Sequence, residues 1–162
     1  MNEAPTTAGQ QAIVTRVFDC PREELWKYFT EPEYFATWFG TPPFTTPVST
    51  VSMDVRSGGE FRSTMVHETD GTELPFAGTF REVLEPERIV QELRNPADPT
   101  DTNVETVTTT LKDLGDGKTE VAYHQVGHLP ADEYARVEEG VNGFYDQLAE
   151  QLARTQPAIR WR

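Results

Sequence analysis

The chain has 162 residues, of which 36% are hydrophobic and 10% aromatic, and its net charge is −13 at neutral pH. This length predicts one domain with one sizeable core, and the negative charge, which repels phosphates and anionic lipid heads, excludes nucleic acid and membrane surfaces as partners. We find neither a signal peptide nor eighteen consecutive apolar residues, and the single cysteine, Cys20, excludes an internal disulfide. These features predict a protein of the reducing cytoplasm.

The first third of the chain predicts one strand and two short helices. We expect residues 1–11 to form a flexible N-terminus, and β-forming side chains fill the segment 12–18 after it. Pro21 and two following glutamates begin the first helix. The second helix begins around Pro32 and ends at Gly40, where two prolines soon prevent its continuation.

From Val48 onward the sequence predicts strands that are joined mostly by short turns. Apolar and polar residues alternate, and signals such as Asp70-Gly71 mark the hairpins. Short hairpin connections require antiparallel pairing. The predicted strands cover residues 48–56, 60–67, 76–84, 89–94, 105–111 and 119–126.

A long helix from Pro130 to Arg154 is the last predicted element. Its apolar residues recur at steps of three and four, so they share one face. They are Val137, Val141, Phe144, Leu148 and Leu152. Since only this helix is available to cover the apolar face of the sheet, we predict an α+β fold in which a curved antiparallel sheet surrounds it. The single domain would span residues 12–154, and residues 155–162 would form a C-terminal tail.

Two glycines interrupt this helix beside its apolar face. Each costs roughly 1 kcal/mol relative to alanine. Either another backbone packs closely against them, or space is left for something that is not protein. We predict that Gly143 borders a cavity and that Gly140 serves close packing.

Short blocks spread over residues 12–153 resemble one protein family. They include Arg16-Val17-Phe18-Asp19-Cys20-Pro21, Trp38-Phe39-Gly40, Ser57-Gly58-Gly59-Glu60-Phe61, Glu85-Pro86-Glu87-Arg88 and Gly140-Val141-Asn142-Gly143-Phe144. Their order and spacing resemble the activator-of-Hsp-ATPase homologue family of the START-like superfamily, also called SRPBCC. The resemblance implies a helix-grip fold, in which six or seven antiparallel strands and the C-terminal helix enclose a deep cavity.

The resemblance does not imply one activity, because this fold serves many functions. Relatives include a co-chaperone domain, an enediyne self-resistance protein, polyketide aromatases and cyclases, lipid-transfer proteins and hormone receptors. The sequence has Phe39 and Val141 where the family often has tryptophan, and Gln125 where histidine is common. Each change alters the shape or polarity of the implied cavity, so another member's ligand is not carried over.

Histidines offer little support for a metal or cofactor site. The α-carbons of His124 and His128 would lie roughly 13 Å apart in extended chain, and no third ligand has suitable spacing. His67 shares a strand face with Phe61. It either supplies a polar contact or proton transfer inside a pocket, or is a strand-end histidine wetted by solvent. We therefore predict no metal and no cofactor.

Other reactive side chains favour structural roles. Glu82 needs a partner if it points inward, and Arg62 or Arg94 could form a structural ion pair with it. Ser63 is not in a nucleophile-elbow pattern, and Cys20 before a helix is typical of a small structural residue. The sequence therefore predicts no catalytic residue.

The candidate ligand site is formed mainly by aromatic and methionine side chains. A sheet curled round one helix is not easily filled by side chains alone, which predicts an apolar cavity with a few polar groups. The two short helices would close one end of it. The predicted ligand-binding residues are Trp26, Phe29, Trp38, Met53, Phe61, Met65, His67, Phe76, Phe80, Tyr123, Val141 and Phe144.

The leading hypothesis is a small soluble binder of an apolar or aromatic small molecule, without a cofactor and not an enzyme. The alternatives are a polyketide cyclase- or aromatase-like enzyme that moves protons through His67, Tyr123 or Glu82, a chaperone-interacting module and a natural-product self-resistance protein. The oligomeric state is left open, with a homodimer among the alternatives. Two titratable groups converging on the cavity would favour the enzyme, an almost wholly apolar lining the binder, and an exposed apolar patch elsewhere the chaperone module.

Overall fold

A computed structural model describes residues 10–98 and 100–155. Most of the expected flexible N-terminus, residues 1–9, and of the expected tail, residues 156–162, lie outside the described residues. The elements in chain order are β1 (Gln11–Phe18), α1 (Arg22–Thr30), α2 (Pro32–Phe35), β2 (Phe44–Thr45), β3 (Ser52–Met53), β4 (Glu60–His67), β5 (Glu73–Leu84), β6 (Arg88–Arg94), β7 (Glu105–Gly115), β8 (Lys118–Val126) and α3 (Ala131–Thr155).

The strands form one curled antiparallel sheet. Their order is β1-β8-β7-β6-β5-β4-β2, and β3 also pairs with β4. Four hairpins join β4 to β8 in sequence, while β1 crosses to the far side and pairs with β8. The α+β helix-grip fold that the sequence predicts is confirmed.

Helix α3 crosses the inner face of the sheet and covers the edge strand β1. The Glu138 carboxylate accepts a hydrogen bond from the backbone N–H of Ile13 at 2.9 Å, and Arg16 forms an ion pair with Asp146 at 3.0 Å. The first contact satisfies an edge N–H that an open sheet would leave to another chain, and the second holds α3 against β1. No helix within residues 10–98 and 100–155 is long and apolar enough to cross a membrane.

The buried face of α3 differs in part from the predicted one. Val141, Leu148 and Leu152 are buried as predicted, while Val137 and Phe144 are only half-buried. Two tyrosines that the apolar pattern omits are buried instead, Tyr134 and Tyr145. Tyrosine joins the core because its ring is apolar and only its hydroxyl needs a polar partner.

The segment between α1 and β4 is less regular than the sequence predicts. The predicted second helix reaches Gly40, but α2 ends at Phe35 and turns continue from there. The predicted strand 48–56 shrinks to the two residues of β3, because Pro47 starts a 3-10 turn in which its carbonyl accepts from Thr50 at 2.9 Å. Local i→i+3 bonds thus replace strand pairing there.

Candidate ligand-binding cavity

A cavity of about 310 Å³ lies between the inner face of the sheet and α3. Three groups of mostly apolar residues line it. The α1–α2 region and the strands β3–β5 contribute Phe29, Phe35, Trp38, Phe39, Met53, Phe61 and Phe76. Helix α3 contributes Val137, Gly140, Val141, Phe144 and Tyr145, and the strands β6–β8 contribute Ile89, Gln91, Leu93, Val107, Thr109, Tyr123 and Gln125.

Phe39 is the centre of an aromatic wall. Its ring centroid lies 4.5 Å from that of Phe35, 4.6 Å from Phe144 and 5.3 Å from Phe76. The wall also includes Trp38, whose indole N–H donates to the backbone carbonyl of Tyr28 at 2.8 Å. Because that donor is already satisfied, Trp38 presents only apolar ring surface to the cavity.

Four polar side chains interrupt the floor that β6, β7 and β8 form. Val107 is paired with Gln91 on one side and with Gln125 on the other. Thr109 and Tyr123 are paired one step along the same strands. Adjacent strands lie about 4.8 Å apart, so this polar floor spans roughly 10 Å across three strands.

Glu105 holds the hydrogen bonds at the edge of this floor. Its carboxylate accepts from the Gln125 amide at 2.9 Å, from the Tyr134 hydroxyl at 2.8 Å and from the backbone N–H of His128 at 2.7 Å. Gly127 makes this approach possible, because a Cβ there would lie 2.1 Å from a Glu105 carboxylate oxygen. Glu105 therefore ties the start of β7 to the joint between β8 and α3.

The orientation of the Gln125 amide follows from its neighbours. A carboxylate only accepts hydrogen bonds, so the amide nitrogen faces Glu105 and the amide oxygen faces Tyr123. The Tyr123 hydroxyl must then donate to that oxygen, at 2.5 Å. Burial, reinforced by the nearby negative charge of Glu105, raises the pKa of Tyr123 well above its usual range. The hydroxyl therefore stays neutral at physiological pH.

Tyr145 is the second titratable group that faces the cavity. Burial, followed by the proximity of Tyr123, raises the pKa of Tyr145 strongly. Its ring packs edge-on against Phe18 at 5.6 Å. Both tyrosines are thus uncharged hydrogen-bonding groups rather than proton donors matched to neutral pH.

The two helix glycines have the roles opposite to those predicted. Gly140 lines the cavity, and a Cβ built on it meets no atom within 4 Å. A Cβ on Gly143 would lie 2.7 Å from the Thr41 methyl carbon. Helical periodicity placed both beside the apolar stripe, but only the fold shows that Thr41 covers Gly143. The prediction for this pair is therefore wrong.

Eight of the twelve predicted ligand-binding residues line the cavity. They are Phe29, Trp38, Met53, Phe61, Phe76, Tyr123, Val141 and Phe144. Trp26 and Phe80 are instead buried in the main core, and Met65 is buried further along the inward face of β4, outside the cavity lining. The strand runs on past the cavity, so alternation alone overextends the predicted site.

His67 also lies outside the cavity lining. It ends β4 at the hairpin, where its Nδ1 accepts from the backbone N–H groups of Thr69 at 3.2 Å and Asp70 at 3.3 Å. Its ring packs edge-on against Phe44, with centroids 5.0 Å apart. His67 therefore stabilises a turn, and of the two readings of this residue the strand-end one applies.

Glu82 forms the structural ion pair that the sequence favours, but with a different partner. Arg88 donates to its carboxylate at 2.9 Å across the turn from β5 to β6.

Cys20 is buried, and burial together with nearby carboxylates raises the pKa of Cys20 to about 11. Within the part of the chain that the structure describes, no group of three or more histidine, cysteine, aspartate or glutamate residues is placed to hold a metal ion.

Several residues that line the cavity are absent from the predicted site, although the strand alternation places the polar ones on the inner face of the sheet. Gln91 falls between Ile89 and Leu93, and Thr109 between Val107 and Leu111, at the inward positions of their strands. A polar residue at an inward position points to a cavity, because a closed core would leave it without partners. Phe35, the last residue of α2, and Phe39, in the turns that follow it, carry no such signal.

The curled sheet, the long covering helix and the cavity between them define an α+β helix-grip protein. The chain belongs to the family of Activator of Hsp90 ATPase homolog 1-like proteins, whose model matches residues 19–153. The family resemblance seen in the sequence blocks is therefore confirmed. A comparison with curated proteins found no match.

Solved structures share this fold over almost their whole length. A protein from Chromobacterium violaceum is 25% identical with a TM-score of 0.75, and the match covers 87% of this chain and 96% of that one. A protein from Nitrosomonas europaea is 24% identical with a TM-score of 0.69, over 90% and 98% of the two chains. The AHSA1 protein from Silicibacter pomeroyi is 19% identical with a TM-score of 0.75, over 88% and 97%.

Proposed function

We propose that the protein binds an apolar or aromatic small molecule in the cavity between the sheet and α3. The observation that carries this proposal is a cavity of about 310 Å³ whose walls are aromatic and aliphatic and whose floor holds a few polar groups. Concave, largely apolar sites of this size with few convergent polar groups are typical of small-molecule binding. The residues that line the cavity are the proposed contacts.

The nature of the polar lining favours binding over catalysis. Among the described residues that line the cavity there is no carboxylate, histidine, lysine or arginine. Tyr123 and Tyr145 are the titratable ones, and the pKa of each is raised too far for proton transfer near neutral pH. A cyclase-like mechanism through His67 or Glu82 has no support, since both lie outside the cavity lining.

A chaperone-interacting surface is the second candidate, and β1 carries the observation in its favour. Ile13 and Val17 share the outer face of this strand and are 52% and 53% exposed. Family membership is consistent with such a role. If it holds, replacing both residues with serine should lower stimulation of an Hsp90 ATPase and leave ligand uptake in the cavity unchanged.

The binding proposal is tested by filling the cavity from α3. Gly140→Leu directs a side chain into the open space beside the helix, while Glu139→Leu places the same side chain on the exposed side one residue away. N-phenyl-1-naphthylamine is an uncharged probe whose fluorescence rises in apolar surroundings. We expect saturable binding by the unmodified protein and by Glu139→Leu, and at least about tenfold weaker binding by Gly140→Leu.

Two results would count against the proposal. One is the absence of saturable probe binding to the unmodified protein. The other is equal affinity of the two leucine variants, which would place the probe outside the cavity.

A further inference from the structure

We propose that the cavity selects an uncharged, compact aromatic compound that carries a hydrogen-bonding oxygen along one edge, and that Gln91 and Thr109 recognise this edge. The inference rests on the proposed ligand-binding function and adds the chemical class of the ligand. It also assigns a specificity role to two side chains whose polar groups make no hydrogen bond among the described residues.

Some of the polar side chains that line the cavity make no hydrogen bond within the protein. The side-chain groups of Tyr123 and Gln125 are engaged with each other, and Gln125 is also held by Glu105. The Gln91 amide and the Thr109 hydroxyl make no hydrogen bond among the described residues, and both line the cavity. Neither is among the fully enclosed polar atoms that lack a partner, so both are open to the cavity. Since nearly all buried polar groups in proteins are hydrogen-bonded, these two groups are available to a ligand there.

The two unpaired groups lie close together on the floor. Gln91 is paired with Val107, and Thr109 is the next inward residue of the same strand after Val107. An inward neighbour lies about 7 Å along a strand and an adjacent strand about 4.8 Å away. One carbonyl or hydroxyl of a ligand could therefore be reached from both side chains.

The opposite side of the cavity is mostly apolar, apart from the Tyr145 hydroxyl, and favours a flat apolar face. Val137, Val141 and Phe144 of α3 line that side, and Phe39 packs against Phe144 with centroids 4.6 Å apart. The volume of about 310 Å³ lies at the small end of the range for drug-sized ligands. These features fit a ligand of two or three rings with its polar edge on β6 and β7.

The same lining disfavours a ligand that carries a negative charge. With no ionised side chain among the described lining residues, a bound carboxylate would lose its hydration without gaining a counter-charge. Glu105, hydrogen-bonded to the floor through Gln125, and the net charge of −13 both add repulsion to an anion. The site should therefore reject fatty-acid and aromatic carboxylates that match its shape.

Three probes of nearly the same shape separate these effects. They are 2-acetylnaphthalene, which carries a neutral carbonyl, 2-isopropylnaphthalene, which is apolar, and 2-naphthoate, which is an anion at pH 7.5. Their affinities are measured by isothermal titration calorimetry. We expect the ketone to bind about five- to tenfold tighter than the hydrocarbon, the ratio that one net hydrogen bond gives. Naphthoate should bind at least about 100-fold more weakly than the ketone.

Two variants test the assigned side chains. Gln91→Leu and Thr109→Val should each reduce or abolish the preference for the ketone over the hydrocarbon, while affinity for the hydrocarbon is kept or improved. Thr110→Val is the matched control, because the neighbouring residue faces the other side of β7 and lies outside the cavity lining. It should keep the preference of the unmodified protein.

The failures can be told apart. Hydrocarbon binding equal to or tighter than ketone binding in the unmodified protein overturns the polar-edge inference and leaves the cavity proposal standing. Naphthoate binding as tight as ketone binding overturns the exclusion of charge. An unchanged ketone preference in both variants overturns the assignment of Gln91 and Thr109. If none of the three probes binds, the cavity proposal itself fails and this inference with it.

Discussion

Gly140 and Gly143 lie one helical turn apart, yet the structure predicts opposite effects when each becomes alanine. A Cβ on Gly140 would enter open space, whereas a Cβ on Gly143 would lie 2.7 Å from the Thr41 methyl carbon. Alanine in a helix interior gains up to about 1 kcal/mol over glycine. Gly140→Ala should therefore raise the free energy of unfolding by roughly 0.5–1 kcal/mol, which corresponds to about 1–4 °C in Tm for a chain of this size.

For Gly143→Ala the same helical gain is offset by the contact with Thr41. A carbon–carbon distance of 2.7 Å is well inside van der Waals contact, so the threonine must move. Overpacking of this kind costs about 1–3 kcal/mol, and we expect a net change between zero and a loss of about 2 kcal/mol. Thr41→Ser removes the methyl group, so Gly143→Ala in that background should recover most of the helical gain.

Urea denaturation of the two single variants, Thr41→Ser and the double variant measures all of these differences. The double-mutant cycle isolates the coupling between Gly143 and Thr41, because the two residues are in direct contact. Equal stabilisation by Gly140→Ala and Gly143→Ala would refute the reasoning. Destabilisation by Gly140→Ala would show that the space beside this residue is filled.

Four further predictions follow from burial and hydrogen bonding. Phe144→Ala, at a half-buried cavity wall, should lower the free energy of unfolding by about 1–2 kcal/mol. Leu148→Ala, at a fully buried position, should lower it by about 2–5 kcal/mol. Equal losses in urea denaturation would place Phe144 in the core. Burial raises the pKa of Cys20 from 9.0 to about 11, so the contribution of its neutral thiol to stability is complete below pH 9 and is lost as the pH rises through 11. The urea midpoint of the unmodified protein should therefore fall over this interval, and it should fall less steeply in Cys20→Ala. An equal slope in the two proteins would contradict this prediction. Glu105→Ala should cost about 2–4 kcal/mol, since it leaves two side-chain donors and one backbone N–H without their acceptor; a loss under about 0.5 kcal/mol would mean that water replaces it. In hydrogen exchange, residues 36–46 should open more readily than β7 if this segment covers the cavity entrance, and equal protection would exclude a mobile cover.

The sequence predicts most of the architecture because the regular elements have clear periodicities. In β4, alternation correctly places Phe61 on the inner face, and in α3 the steps of three and four correctly bury Val141 and Leu148. The irregular segment between α1 and β4 is predicted less well. Turns carry no period, so the positions of Phe39 against Phe144 and of Thr41 against Gly143 depend on tertiary packing alone.

The cavity lining is predicted in part for the same reason. Residues in regular elements near the middle of the sheet, such as Phe76 and Tyr123, line the cavity. His67 lies on a correctly predicted strand, but periodicity gives the face of a strand and not the point along it where a cavity ends. Tyr145 is absent from the predicted face of α3, although it lies four residues after Val141 and its side chain is buried.

The most direct test of ligand binding in this cavity is isotope-filtered NMR of the methyl-labelled protein with N-phenyl-1-naphthylamine. We predict intermolecular NOEs from the probe to the methyl groups of Ile89, Val107 and Val141, which line the cavity. The exposed methyl groups of Ile13 and Val17 on β1 serve as the control. NOEs confined to Ile13 and Val17, or no intermolecular NOEs at saturating probe, would contradict the proposed function.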